Sequence, residues 1–302
     1  MSSPRLVLRS LALRSLTLVA IGLACDARVE PRAAASSPPA APAKAPAPAP
    51  AKAPPPAPAK GPAPAPAPVV AATAYARAAD MEYLEVVHVP RGTPPEKVPL
   101  PDAKLPMLVA IHGLGDSPEN FQHLIVDLPV AARVIVPRGL DPVETGYSWF
   151  PVRARSADVA GLSQGIAAAG DRLAAMITAL RQTRPTVGLP VITGFSQGGM
   201  LAFELAVHHP ELVGGAIPVG GWLPPPLWPS VLPAHRPLPK IVALHGEIDA
   251  AVKFQPTLEA IAHLEKLGWP ASLQRYPEVG HAIPPVVRRE LYQQIQRALE
   301  KP

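Results

Sequence analysis

Ser196 lies in Gly194-Phe195-Ser196-Gln197-Gly198, between the apolar run Pro190-Val191-Ile192-Thr193 and a helical pattern beginning at Gly199. A G-x-S-x-G sequence joining a strand to a helix has the form of a nucleophile elbow. The turn is so sharp that the residues two before and two after the serine must lack Cβ bulk, and strained backbone holds the serine Oγ clear of the sheet. A serine hydroxyl is a poor nucleophile at neutral pH, so the chemistry needs a base within hydrogen-bond reach and a carboxylate to orient that base. His281, flanked by Gly280 and Ala282 and the last histidine of the chain, is the expected base. Asp249, in His245-Gly246-Glu247-Ile248-Asp249, is the expected carboxylate, with Glu247 its near competitor; the order serine, acid, histidine suits this kind of elbow. The plainer reading makes His281 a loop histidine bonded to backbone and Asp249 a turn or helix cap.

The oxyanion of such a reaction needs two preorganised donors. The backbone N–H of Gln197, at the start of a helix, is one candidate, and the backbone N–H of Leu114 in His112-Gly113-Leu114-Gly115-Asp116 is the other. Phe150, Trp222, Leu223 and Trp228 are apolar residues suited to an acyl pocket, or equally to packing at loop ends. His208 and His209 end a helix with no H-E-x-x-H and no cysteine cluster beside them, so neither a metal nor another cofactor is expected.

These residues need elements to hold them. Strand-like runs occur at 82–89, 107–112, 133–137, 190–195, 215–219, 240–245 and 272–276. Helical patterns occur at 117–128, 157–181, 198–208, 256–267 and 285–299. Short strands buried on both faces and joined through helices predict an α/β fold with a mainly parallel sheet, helices on both sides and the first segment as an antiparallel edge. In such sheets ligands bind beyond the carboxyl ends of the strands. Ser196, Asp249 and His281 all follow strands and fall on that rim.

With these motifs in view the chain resembles the phospholipase/carboxylesterase family that includes the acyl-protein thioesterases. The resemblance rests on H-G-L-G-D at 112–116, G-F-S-Q-G-G at 194–199, G-G-W-L-P at 220–224, H-G-E-I-D at 245–249 and G-H at 280–281, in that order. It implies an α/β-hydrolase fold and a serine carboxylesterase, phospholipase-type or thioesterase activity without cofactor. It also implies the roles given above to Ser196, Asp249, His281, Leu114 and Gln197. Two segments depart from the family's pattern: Pro151 follows Ser148-Trp149-Phe150 where an acid is usual, and residues 223–239 are rich in proline.

The first 80 residues read differently. Arg5, Arg9 and Arg14 precede an apolar stretch from Leu16 to Ala24, followed by Cys25, the chain's single cysteine. Residues 1–24 are the pattern of an export signal, too short to span a bilayer as a permanent helix. The position of Cys25 resembles a bacterial lipoprotein signal, in which the thiol is lipidated; ordinary cleavage, leaving a periplasmic or secreted protein, is the alternative. Residues 25–80 form a Pro/Ala-rich segment expected to be disordered: residues 31–70 hold 15 of the 44 prolines, with Lys44, Lys52 and Lys60 between them. Such a stretch favours polyproline II and spans on the order of 120 Å as a tether.

The net charge of +5 comes from this region, since residues 80–302 alone carry −2. No nucleic-acid surface is therefore expected. The catalytic domain is placed at 81–302. The reading as a whole is an exported, lipid-anchored serine hydrolase acting on a small ester or acyl substrate, with a membrane contact through its N-terminus. A peptidase or polyester depolymerase of the same fold, and a non-catalytic surface-binding module, are its rivals.

Overall fold

Residues 74–143 and 145–300 are described by the structure, a computed structural model. They begin with β1 (Ala76–Ala78) and β2 (Met81–His88), then β3 (Leu105–Ile111), a short α1 (Pro118–Phe121), β4 (Ala132–Pro137) and a hairpin of β5 (Asp141–Val143) and β6 (Gly146–Ser148). There follow α2 (Val159–Thr183), β7 (Thr186–Phe195), α3 (Gln197–His208), β8 (Gly215–Val219), β9 (Lys240–Gly246), α4 (Phe254–Leu267), β10 (Ala271–Tyr276) and α5 (Pro285–Leu299). All strands but the hairpin form one sheet in the order β1-β2-β4-β3-β7-β8-β9-β10. From β4 to β10 the pairs are parallel, while β1 and β2 form an antiparallel edge.

Alternation along the central strands explains the layers. Met107, Val109 and Ile111 of β3 enter one apolar cluster with α2, α3 and α4, whereas Leu108 and Ala110 enter a second with Phe121, Ile125 and α5. The same split recurs in β9, with Ile241 and Ala243 on one face and Val242 and Leu244 on the other. A strand covered on both faces reads as a continuous apolar run, which is how these strands appear in the sequence.

Helix α3 is buried at every residue from Gln197 to Val207, so it lies between the sheet and α2. Its two leading glycines permit this: a Cβ at Gly199 would fall 2.7 Å from the carbonyl oxygen of Val219. Each fully buried Leu, Met or Phe on it contributes about 1.5–3 kcal/mol of apolar burial. Helix α2 starts where the Asp158 carboxylate accepts from Gly161 N (2.8 Å), and ends at Arg184 because Pro185 disfavours helical backbone in the residue before it.

Three segments differ from expectation. The helix predicted over 117–128 is only α1 and a 3-10 turn at Gln122–Ile125, which lets Leu128 N reach Ile125 O (3.1 Å) and frees Leu128 O to accept from His88 Nε2 (2.8 Å). Strand β1 lies upstream of the expected boundary at 81; its Ala-Arg-Ala sequence carries no strand signature, and pairing with β2 holds it. The β5–β6 hairpin has exposed first-strand residues and no apolar alternation to announce it. Among the described residues, no helix is long and apolar enough to cross a membrane. The expected export signal, Cys25 and the greater part of the tether lie outside the described residues.

Candidate active site

The turn between β7 and α3 places Ser196 at φ 58°, ψ −115°, a left-handed conformation that a residue with a Cβ adopts only under constraint. The constraint is contact with neighbouring backbone. A Cβ at Gly198 would lie 2.0 Å from the Ile111 carbonyl oxygen, and one at Gly194 would lie 2.4 Å from Gly198 C and O. Ser196 N donates to Val219 O (3.0 Å), tying the turn to β8 as well.

His281, between β10 and α5, brings Nε2 to 2.9 Å from Ser196 Oγ. Its Nδ1 lies 2.7 Å from Asp249 Oδ2, in the turn after β9. Asp249 Oδ1 accepts from Ala251 N (2.9 Å) and Val252 N (2.8 Å). Burial alone would raise the Asp249 pKa, but hydrogen bonds from His245, His281 and Val252 N outweigh it and hold the carboxyl well below the usual carboxylate range. The Asp249 side chain is 1% exposed and that of His281 23% exposed, so the imidazole is reached from solvent while its acid partner is not. Glu247, the competitor, instead accepts from Arg275 Nε (2.8 Å). The three expected side chains thus meet on one rim, in hydrogen-bond contact.

The loop after β3 abuts the elbow: a Cβ at Gly113 would sit 3.3 Å from both Phe195 O and Ser196 Cβ. Gly113 O accepts from His112 Nδ1 (2.7 Å) and from Asp116 N (3.3 Å). Across a planar trans peptide the carbonyl and the next N–H point in opposite directions, so the Leu114 N–H is turned away from the His112 ring. Neither Leu114 N–H nor Gln197 N–H makes a hydrogen bond among the described residues.

The four apolar residues expected to line an acyl pocket or to pack at loop ends are buried or half-buried. Phe150 (2% exposed) and Leu223 (0%) are core side chains, and Phe150 fills the space left by Gly165 of α2, where a Cβ would come within 2.8 Å of it. Trp222 is buried in the same cluster, and Trp228 stacks on His263 of α4 while its Nε1 donates to Leu223 O (2.7 Å). Aromatic residues at loop ends and in pockets are the same types, so the sequence alone could not part the two.

Other residues of the site escaped the sequence. His112 is buried and neutral: burial lowers its pKa, Nδ1–H donates to Gly113 O, and Nε2 accepts from Gly139 N (3.1 Å). His245 Nε2 lies 2.9 Å from Val252 O and 3.5 Å from Asp249 Oδ2, bracing the acid's turn. The Phe195 ring lies 4.6 Å from the His281 ring at 30°. A signal for the two buried histidines exists in retrospect: each closes an apolar strand and precedes a glycine, in His112-Gly113 and His245-Gly246.

Sheet order, helices on both faces and the strand-turn-helix at Ser196 define the α/β-hydrolase architecture. The family model for phospholipase/carboxylesterase matches residues 99–299, and the chain belongs to that family. A relative from Nocardia uniformis subsp. tsuyamanensis, "Putative esterase NocK", is 29% identical over 67% of this chain, which spans 56% of NocK's length. Among solved structures, esterase PE8 aligns with TM-score 0.58 at 23% identity, covering 65% of this chain and 94% of that one. Acyl-protein thioesterase 2 of Zea mays aligns with TM-score 0.53 at 21% identity, covering 71% and 98%.

Proposed function

We propose that this chain is a serine hydrolase that cleaves carboxylic esters through an acyl-serine intermediate. The observation that carries the proposal is the continuous contact from Asp249 through His281 to Ser196, built on an elbow with positive φ. His281 Nε2 takes the proton of Ser196 Oγ as that oxygen attacks the substrate carbonyl, and Asp249 stays ionised and stabilises the imidazolium. The Leu114 and Gln197 N–H groups receive the tetrahedral oxyanion. The imidazolium then donates its proton to the leaving alcohol, and water repeats the sequence to release the acid. The names of NocK and of the maize thioesterase support acyl transfer from an oxygen or sulfur leaving group, so thioesters belong to the proposed substrate range.

Ser196→Ala should abolish turnover of a short-chain p-nitrophenyl ester with an unchanged circular dichroism spectrum. Undiminished turnover would remove the nucleophile and the proposal with it. An acyl-chain series run on paired esters and thioesters separates the two substrate classes.

The proposal extends to location: residues 1–24 direct export, and Cys25 carries a lipid from which the Pro/Ala-rich stretch before β1 tethers the enzyme. Its support is the order of basic, apolar and cysteine residues followed by the Pro/Ala-rich stretch. Labelled palmitate fed to expressing bacteria should enter the wild-type chain and not Cys25→Ala. Equal labelling of both, or of neither, overturns the anchor.

A further inference from the structure

The side chain of Gln197 makes contacts that its backbone role does not require. Its Oε1 accepts from Trp149 N (3.0 Å) and its Nε2 donates to Phe150 O (2.8 Å). Trp149 in turn donates from Nε1 to His112 O (2.9 Å), the carbonyl preceding Gly113. His112, Trp149 and Gln197 are all buried, at 0%, 1% and 5% exposure.

We propose that the Gln197 carboxamide is a positioning residue that sets the distance between the two oxyanion donors. The inference rests on the serine-hydrolase reading above. Gln197 supplies one donor from its own backbone. Through Trp149 it also holds the loop that supplies the other, so both N–H groups belong to one hydrogen-bonded path from α3 to the end of β3. A carboxamide suits the place because it accepts and donates side by side, matching an adjacent N–H and C=O. A carboxylate can only accept, and a methionine can do neither, leaving the Trp149 N–H buried without a partner. Catalytic donors displaced by a fraction of an ångström lose much of their effect on the transition state while ground-state binding changes little.

The test uses the full chain and a short-chain p-nitrophenyl ester. Gln197→Met should lower kcat by about 10- to 100-fold with KM nearly unchanged. Trp149→Phe, which removes the indole N–H together with the five-membered part of the ring, should give a loss of the same kind, and the double variant should lose less than the product of the two singles. Gln197→Glu supplies a readout that general loosening of the fold would not move. Its rate relative to wild type should rise as pH falls, because the protonated carboxyl restores both halves of the clamp. If Gln197→Met does not fold, the glutamate and phenylalanine variants carry the test.

Wild-type kcat in Gln197→Met, a loss confined to KM, multiplicative effects in the double variant, or a pH-independent ratio for Gln197→Glu overturns the inference. Labelling of the wild type by a fluorophosphonate probe keeps the two proposals apart. A wild type that is not labelled at Ser196 sinks the hydrolase reading itself, whereas a labelled wild type beside an unaffected Gln197→Met sinks the clamp alone.

Discussion

Asp249 is the carboxylate most heavily partnered on this rim, and its chemistry follows from the count of donors around it. Two backbone N–H groups hold Oδ1 while His281 and His245 approach Oδ2 from different sides. An amide in its place keeps the shape but offers His281 the wrong proton arrangement, so Asp249→Asn should lower ester turnover by about four orders of magnitude in a folded protein. The same pairing makes a statement about stability. A carboxyl held below its ordinary value of 3.8 stabilises the fold fully above that value, and the contribution is lost as pH falls through the depressed folded value. The stability gap between wild type and Asp249→Asn, measured by urea titration, should therefore narrow as pH falls below about 4, where Asp249 itself takes up its proton. A gap that instead widens below about pH 4 contradicts the assignment of an ionised Asp249.

At the scale of elements, the junction of α2 and α3 buries an acid that the proposed chemistry does not use. Glu204 fits under α2 because Gly170 has no side chain; a Cβ there would fall 2.5 Å from Glu204 Cγ. Burial pushes its pKa up to about 7; His208 pulls it down by a smaller amount, and Asp171 adds to the rise. An acid whose folded pKa is raised favours the fold in its neutral form, so its contribution declines from the ordinary value of 4.5 upward and is at its least above about pH 7. Glu204→Gln should match wild type at pH 4.5 and exceed it at pH 8 by on the order of 3 kcal/mol, read by chemical denaturation. An equal difference at both pH values excludes a buried ionisation as the cause.

Neither Glu204 nor the Gln197 clamp could be read from the chain. Each depends on which faces of distant elements meet, and Gln197 reaches residues 47 and 48 positions away. The elbow was legible because steric exclusion acts locally: glycines at 194 and 198 are demanded by backbone a few ångströms off. The acid and base were legible through their place after strands, a rule of the whole sheet that leaves a local mark. The abbreviated α1 was not, since the hydrogen bond from His88 to Leu128 that competes with helix spans 40 residues.

Across the whole molecule, the serine, acid and base come from the ends of β7, β9 and β10, with β8 between the first two. Strand order itself was hidden from the sequence, because β3 is inserted between β4 and β7 by pairing that no neighbouring residue records. Periodicity still sufficed for the layered class, as alternate residues of β3 and β9 had to meet apolar partners on both sides.

The near contact of Gly198 with the Ile111 carbonyl has a bearing on motion. Where main chain rests on main chain there is no side chain left to rearrange, and the helix behind the serine cannot slide or tilt against the central strand. The proposed nucleophile is a fixed post. Adjustment to substrates of different bulk must come from elsewhere than the turn between β7 and α3.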